Sequence, residues 1–229
     1  MNSISVIMPA FNEEENIRVV VESSLNVLRE IANKYEVIIV NDGSTDNTGL
    51  IAEELSKKYN GVVKVFAHLN NNGMGAAIKT GISNANYDLI FTACSDNQFD
   101  MSELKKFTEE IDTVDFIIGY RLNRHQSFYR IFNTRLYHIL ISLLFGLRVK
   151  DPSWVKMFKK KVVDNIKLES DGFFWETEII VRAIKKGYRY SEVGVHSYPR
   201  VKGKSSGGKI IKALGVFFTI LKFWIKGIK

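Results

Sequence analysis

YEVIIVNDGSTD, residues 35–46, decides the fold. The first six residues are an apolar, β-branched-rich run, which reads as a buried strand. It stops abruptly at Asn41-Asp42-Gly43-Ser44-Thr45-Asp46, where Gly43 permits a tight turn. Residues 47–59 then carry helical spacing, with Asp46 placed to cap them. Strand, polar turn and helix is the repeating unit of a parallel sheet. The unit recurs on both sides of this stretch. Upstream, 3–8 (SISVIM) reads as a strand ended by Pro9, and 13–34 as a helix with apolar positions at Ile17, Val20, Val21, Leu25, Leu28 and Ile31. Asn12 is placed to cap that helix, and Glu13, Glu14 and Glu15 suit the positive end of its dipole. Downstream come a strand at 62–67, a helix at 75–86 and a strand at 87–92.

Beyond residue 100 the rhythm loosens. Helices are expected at 103–111, 127–145, 172–186 and 209–229, with strands at 115–119 and 188–195, the last at a sheet edge. The expected class is α/β, with a mostly parallel central sheet flanked by helices. At 229 residues and 45% hydrophobic, the chain is large enough for one such domain and an appendage. The single cysteine, Cys94, excludes an intrachain disulfide and fits a reducing compartment. Residues 1–10 show no signal-peptide pattern, so the catalytic part is expected in the cytoplasm.

Charge is unevenly spread. Residues 1–100 hold 7 basic and 13 acidic side chains, while 101–229 hold 25 basic and 12 acidic. A basic second half suggests phosphate-bearing partners. Nucleic acid is not the expected one, because the basic residues lie beside an apolar helix and not in a base-reading motif.

Open parallel sheets bind ligands beyond the carboxyl ends of their strands. Polar clusters follow those ends at 10–15, 41–46, 70–75 and 94–100. Asp42 is placed to accept hydrogen bonds from a base or ribose, although a turn with Asp46 as cap would need no ligand. LNNNGMGA (69–76) opens a helix whose amides can face a phosphate, although the same composition also serves an ordinary turn. In FTACSDNQFD (91–100), Asp96 and Gln98 alternate as two ligands of one hard cation would, Mg²⁺ or Mn²⁺. Asp100 is placed to cap the helix that follows. Arg121, Arg124, Arg130 and Arg135 are suited to phosphate recognition, although helical spacing gives at least one a structural role. Residues 199–208 form a basic Gly/Ser-rich loop, and Trp175-Glu176-Thr177-Glu178 starts a helix with acids that suit its dipole or contact a sugar.

The C-terminal segment sorts its residues by face. Lys212, Gly215, Thr219, Lys222, Lys226 and Lys229 recur at spacings of three and four, within an arc of about 100°. The rest is apolar or aromatic. The apolar arc is too broad for a coiled-coil seam, and the segment is too interrupted by lysine for a spanning helix. An in-plane helix at a membrane interface fits best, and packing on the protein's own core or on a partner subunit is the competing expectation.

Taken together, seven segments resemble family 2 glycosyltransferases, in the branch of dolichyl-phosphate mannose synthase and bacterial polyprenyl-phosphate glycosyltransferases. They are MPAFNEE (8–14), VNDGSTD (40–46), NGMGAA (72–77), SDNQFD (95–100), GYR (119–121), ETEI (176–179) and PRVKGKS (199–205). The order and spacing of the set carry the resemblance. It departs from the family pattern at Cys94-Ser95-Asp96, where the first acid of a DxD motif is replaced by Cys94, a poor ligand for a hard cation. Other departures are Asn41, Met74 and DPSWVK (151–156).

The resemblance implies a GT-A fold over 1–206, and the sorting of faces makes 207–229 an amphipathic membrane-interface helix. It implies a GDP- or UDP-linked hexose as donor, a polyprenyl or dolichyl phosphate as acceptor, and inversion at the sugar. Carried over, Pro9, Ala10, Asn12, Glu13, Asp42, Gly73 and Ser95 would line the nucleotide pocket. Asp96 and Gln98 would hold Mg²⁺ or Mn²⁺. Arg121 and Arg130 would bind the acceptor phosphate, with Arg200 and Lys202 on a closing loop. The expected location is the cytoplasmic face of the membrane, attached peripherally or through a membrane-protein partner. Two rivals stay open: transfer to a glycan hydroxyl, with Glu176 or Asp151 as general base, and a non-catalytic sugar-nucleotide binder.

Overall fold

In the computed structural model, residues 2–123, 128–200 and 210–226 are described, the side chains of 128–133, 210–214 and 216 excepted. Seven strands form one sheet: β1 (Asn2–Ala10), β2 (Ala32–Asp42), β3 (Val63–His68), β4 (Leu89–Thr92), β5 (Phe116–Arg121), β6 (Lys156–Lys159) and β7 (Tyr190–Val195). Their order is β3-β2-β1-β4-β6-β5-β7. Every neighbouring pair is parallel except those of β6, which runs antiparallel to both β4 and β5. The mostly parallel α/β expectation therefore holds, with β7 at the edge.

Period-two alternation divides the core between the two faces. Val37 and Ile39 pack on one side with Ile4, Val6 and Met8. Ile38 and Val40 pack on the other with Ile7 and Ile90. Helices α1 (Ile17–Ile31), α2 (Thr48–Lys58), α3 (Met74–Ser83), α4 (Leu104–Glu110), α5 (Phe128–Phe145), α6 (Lys160–Asp164), α7 (Trp175–Lys185) and α8 (Ile210–Lys226) cover the sheet. Aromatic residues Phe145, Phe174 and Phe223 meet where α5, α7 and α8 converge, with ring centroids 5.2–6.4 Å apart.

Local readings differ in four places. The first helix is shorter than expected, because Ala32 turns extended and β2 pairs with β1 from there. Asn12 does not cap it. Its backbone is left-handed (φ 56°), and its side chain accepts from the Thr45 amide at 2.9 Å. Glu13–Glu15 lie before the first turn of α1, so they do not serve its dipole. Strand β6 and helix α6 were not legible, as four residues of strand flanked by lysines leave no periodic signal. By contrast, Asp100 accepts from the Ser102 amide, as expected of a cap, whereas the N-cap position of α2 is Asn47 and Asp46, one residue before it, accepts from the Thr48 amide.

One buried acid ties the sheet together. Glu36 accepts from Ser5 Oγ (2.7 Å), the Asn86 amide (2.7 Å) and Lys64 Nζ (2.7 Å). Burial pushes its carboxyl up, but these hydrogen bonds outweigh that and hold it below the ordinary value of 4.5. A depressed acid contributes stability above its unfolded value and loses it as pH falls through the folded value. Glu36→Gln is therefore expected to cost about 1–3 kcal/mol at pH 7. The gap to wild type should narrow below pH 4.5 in urea titrations at the two pH values.

Candidate active site

The carboxyl ends of β1, β2 and β4 open into a cleft of about 1090 Å³. Its lining includes Pro9, Ala10, Glu13, Asp42, Gly73, Ser95, Asp96, Gln98 and Arg200. Asp42 and Asp96 thus share one cavity, as the parallel topology requires of polar turns at neighbouring strand ends.

Much of the expected nucleotide set builds this cleft's frame. Asp42 is buried, and its carboxylate accepts from the amides of Asn72 (3.0 Å) and Gly73 (2.9 Å) and bonds His68 Nδ1 (2.7 Å). Gly43 sits at φ 69°, where an added Cβ would meet the Asn70 backbone at 2.4 Å. Gly73 sits at φ 98°, where one would meet the Asp171 carbonyl at 2.5 Å. That carbonyl also accepts from the amides of Gly75 (2.7 Å) and Ala76 (3.2 Å). The amides expected to face a phosphate at this helix start are therefore used within the protein. Ser95 Oγ donates to the Pro9 carbonyl at 2.7 Å, locking β4 to β1. Asn12 is not among the lining residues; it clasps the loop after β1 to the loop after β2.

Asp96 stands differently. Every other cleft carboxylate has a closer counter-group: Glu13 with Arg200 (2.7 Å), Asp42 with His68, Glu169 with Lys226 (2.7 Å), Asp171 with Lys79, and Glu176 with Lys156 (3.4 Å). For Asp96 the nearest cation among the described residues is Arg200 Nη1 at 3.9 Å. Burial holds the carboxyls of both Asp96 and Glu13 above their ordinary range. Two carboxylates around one guanidinium, with Gln98 beside them, make an oxygen-rich corner. Mg²⁺ and Mn²⁺ are commonly held by one or two carboxylates and completed by substrate phosphates, and among the described residues no group of three or more His, Cys, Asp or Glu side chains is placed to hold a metal ion by itself. Cys94 lies in the same wall, but burial raises its thiol well above its ordinary value, so it supplies no thiolate.

Arg200 reaches this corner because its segment is stitched to the Asp96 loop. The Tyr198 amide donates to the Gln98 carbonyl at 2.9 Å, and Gln98 Nε2 donates to the Tyr198 carbonyl at 3.1 Å. Lys202 and the Arg130 side chain lie outside the described residues.

Arg121, expected at an acceptor phosphate, is placed elsewhere. Its guanidinium forms a two-pronged pair with Asp151, Nε–Oδ2 2.7 Å and Nη2–Oδ1 3.0 Å, and stacks on Trp154 at 4.7 Å. It supports the cleft wall from behind Trp154 and is not among the lining side chains. Asp151 is 0% exposed and held in this pair, so it is not placed as a general base. Glu176 does line the cleft; burial raises its carboxyl, against the opposing pull of Lys156.

Sequence reasoning missed two parts of the site. Trp154 and Trp175 line the cleft, and their indole N–H groups are buried with no hydrogen-bond partner among the described residues. Buried donors without partners are rare, and at a cleft wall they invite a ligand acceptor. Helix α8 was read as an outlying element. Instead its Gly215, Thr219, Lys222 and Lys226 form part of the cleft wall.

The sequence matches Glycosyl transferase family 2 over residues 5–183. The chain belongs to this family. It is therefore a glycosyltransferase, and the GT-A expectation holds. Among curated proteins it is similar to the undecaprenyl-phosphate 4-deoxy-4-formamido-L-arabinose transferase of Proteus mirabilis (strain HI4320), at 26% identity over 167 residues. That match covers 72% of this chain and 51% of the relative, so the chain spans about half the relative's length. Among solved structures it resembles glucosyl-3-phosphoglycerate synthase of Mycobacterium tuberculosis with phosphoglyceric acid (TM-score 0.74, 16% identity, 96% of this chain, 79% of that one). The same enzyme with Mn²⁺, uridine-diphosphate and phosphoglyceric acid aligns at TM-score 0.73 and 16% identity, covering 96% and 78% of the two chains. At these identities the likeness establishes the fold.

Proposed function

We propose that this glycosyltransferase moves a hexose from a UDP- or GDP-sugar to a polyprenyl phosphate at the cytoplasmic face of a membrane, with inversion. The observation that carries the reading is the cleft itself: a loosely paired carboxylate, Asp96, beside Arg200, in a cavity large enough for a sugar nucleotide and an acceptor. The acceptor class is supported by the curated relative, whose name specifies undecaprenyl phosphate. A uridine nucleotide and Mn²⁺ are supported by the complex of the structural relative.

In this reading Pro9, Ala10 and the Asp42 turn border the nucleoside, and Asp96 and Gln98 hold Mg²⁺ or Mn²⁺. When bound, the cation neutralises the diphosphate leaving group. Arg200, beside Asp96, would add positive charge in the same corner. The acceptor phosphate is already ionised at neutral pH. As its oxygen bonds to the anomeric carbon, the bond to the diphosphate oxygen breaks on the opposite face, and no proton need be removed. Catalysis is then positioning and electrostatic compensation.

Peripheral attachment is supported by apolar side chains left outside. Leu136, Ile139 and Leu143 of α5 are exposed, as are Phe217, Phe218, Trp224 and Ile225 of α8. Among the described residues no helix is long and apolar enough to cross a membrane. A membrane protein that receives α8 is the competing partner. Glu176 in the cleft keeps a second acceptor in view, a glycan hydroxyl with Glu176 as base.

Product analysis tests the proposal. The chain is incubated with Mn²⁺, labelled UDP- and GDP-hexoses, and polyprenyl monophosphate in detergent. Label should enter the organic phase as a sugar-phosphate lipid. Label found only in an added glycan supports the hydroxyl acceptor, and no transfer with any donor overturns the catalytic reading.

A further inference from the structure

Helix α8 presents three faces at once. At about 100° per residue, Gly215, Thr219, Lys222 and Lys226 fall within roughly 60° of arc, and these four line the cleft. Ile220 and Phe223 fall on the flank beside them and are buried against the core. Phe217, Trp224 and Ile225 occupy the remaining side and face outward. The lysine stripe thus points into the active-site cavity, and the outward face is apolar.

Three described cations line that cavity: Arg200, Lys222 and Lys226. Arg200 is engaged by Glu13 and Lys226 by Glu169, each at 2.7 Å. Lys222 has no ion pair or hydrogen bond with any described residue. Across the same cavity, the indole N–H groups of Trp154 and Trp175 have no acceptor among the described residues. With Arg121 committed to Asp151, Lys222 is, among the described residues, the cleft cation left to meet an incoming anion.

We propose that Lys222 binds the phosphate monoester of the acceptor, so that one helix carries both the apolar membrane face and the side chain that receives the lipid headgroup. The inference rests on the polyprenyl-phosphate reading above and assigns that reading its acceptor residue. An ammonium on a flexible stem suits a mobile headgroup, since it meets phosphate as a point charge without a fixed fork. Its position also sets the order of events: the lipid tail stays on the outer face while the phosphate turns into the cleft.

The test uses the full chain and two variants. Farnesyl monophosphate in detergent is titrated against the cleft tryptophan fluorescence, with inorganic phosphate as a parallel probe. Flotation with neutral and with anionic phospholipid vesicles measures membrane attachment. Lys222→Gln should weaken farnesyl monophosphate binding about tenfold, the loss of one charge-assisted hydrogen bond. It should leave UDP binding and attachment to neutral vesicles unchanged. Trp224→Ser/Ile225→Ser should do the reverse, losing vesicles while keeping farnesyl monophosphate affinity in detergent. Inorganic phosphate bound as tightly as the lipid monophosphate would identify a free-phosphate site and overturn the lipid assignment. Unchanged farnesyl monophosphate affinity in Lys222→Gln, or loss only of attachment to anionic vesicles, overturns the role of Lys222 and leaves the polyprenyl-phosphate reading standing. Wild type that neither binds nor glycosylates a polyprenyl monophosphate overturns both.

Discussion

Asp96→Asn is expected to lower turnover by about 10²–10³-fold, the scale of removing one well-placed electrostatic contact from a transition state. The fold should be unharmed or slightly firmer. Asp96 accepts one intraprotein hydrogen bond of note, from the Gln98 amide at 3.2 Å, which an asparagine oxygen can also accept. Burial raises the Asp96 carboxyl above its ordinary value, so in the empty cleft the ionised form costs stability at neutral pH. A group at a cleft wall that destabilises the free protein fits a functional role. Thermal denaturation and turnover of the same preparation check both halves. A fall in Tm together with activity would make Asp96 a structural residue.

The second large effect concerns stability. Asp151→Ala is expected to cost about 3–5 kcal/mol, because removing one partner of a buried pair leaves an uncompensated charge. Here the loss is compounded. Arg121 forfeits two hydrogen bonds at 2.7 and 3.0 Å, and Lys156, 0% exposed, loses a nearby negative charge. Replacing the pair as a unit, Arg121→Met with Asp151→Leu, should recover much of the deficit. Urea midpoints of the single and double variants decide the matter. A single-variant cost under about 1 kcal/mol would mean that water reaches the pair and screens it.

These two carboxylates also show which parts of the molecule could be read from its sequence. Asp96 was legible because it follows an apolar strand, and in an open parallel sheet such turns converge. The same logic found Pro9, Glu13 and Asp42, and the alternation of Val37 to Val40 found the strand between them. Asp151 was not legible as Arg121's partner, because thirty residues separate them and only the pairing of β5 with β6 brings them together. That strand was itself hidden by Lys156, a buried lysine where a strand pattern calls for an apolar residue. Asn12 was misread for a related reason: an asparagine before a helix caps by default, and its clasp on Thr45 depends on two loops meeting. For α8 the faces were separable by periodicity, but which face turns to the cleft is set by Phe223 packing on Phe145 and Phe174.

Mn²⁺ uptake followed by electron paramagnetic resonance, with and without UDP, tests most directly whether the cleft is a sugar-nucleotide site organised by Asp96. Wild type should take up Mn²⁺ strongly only when UDP is present, and Asp96→Asn should lose that uptake while keeping its fold. Equal uptake by the two proteins, or uptake indifferent to UDP, would contradict the account.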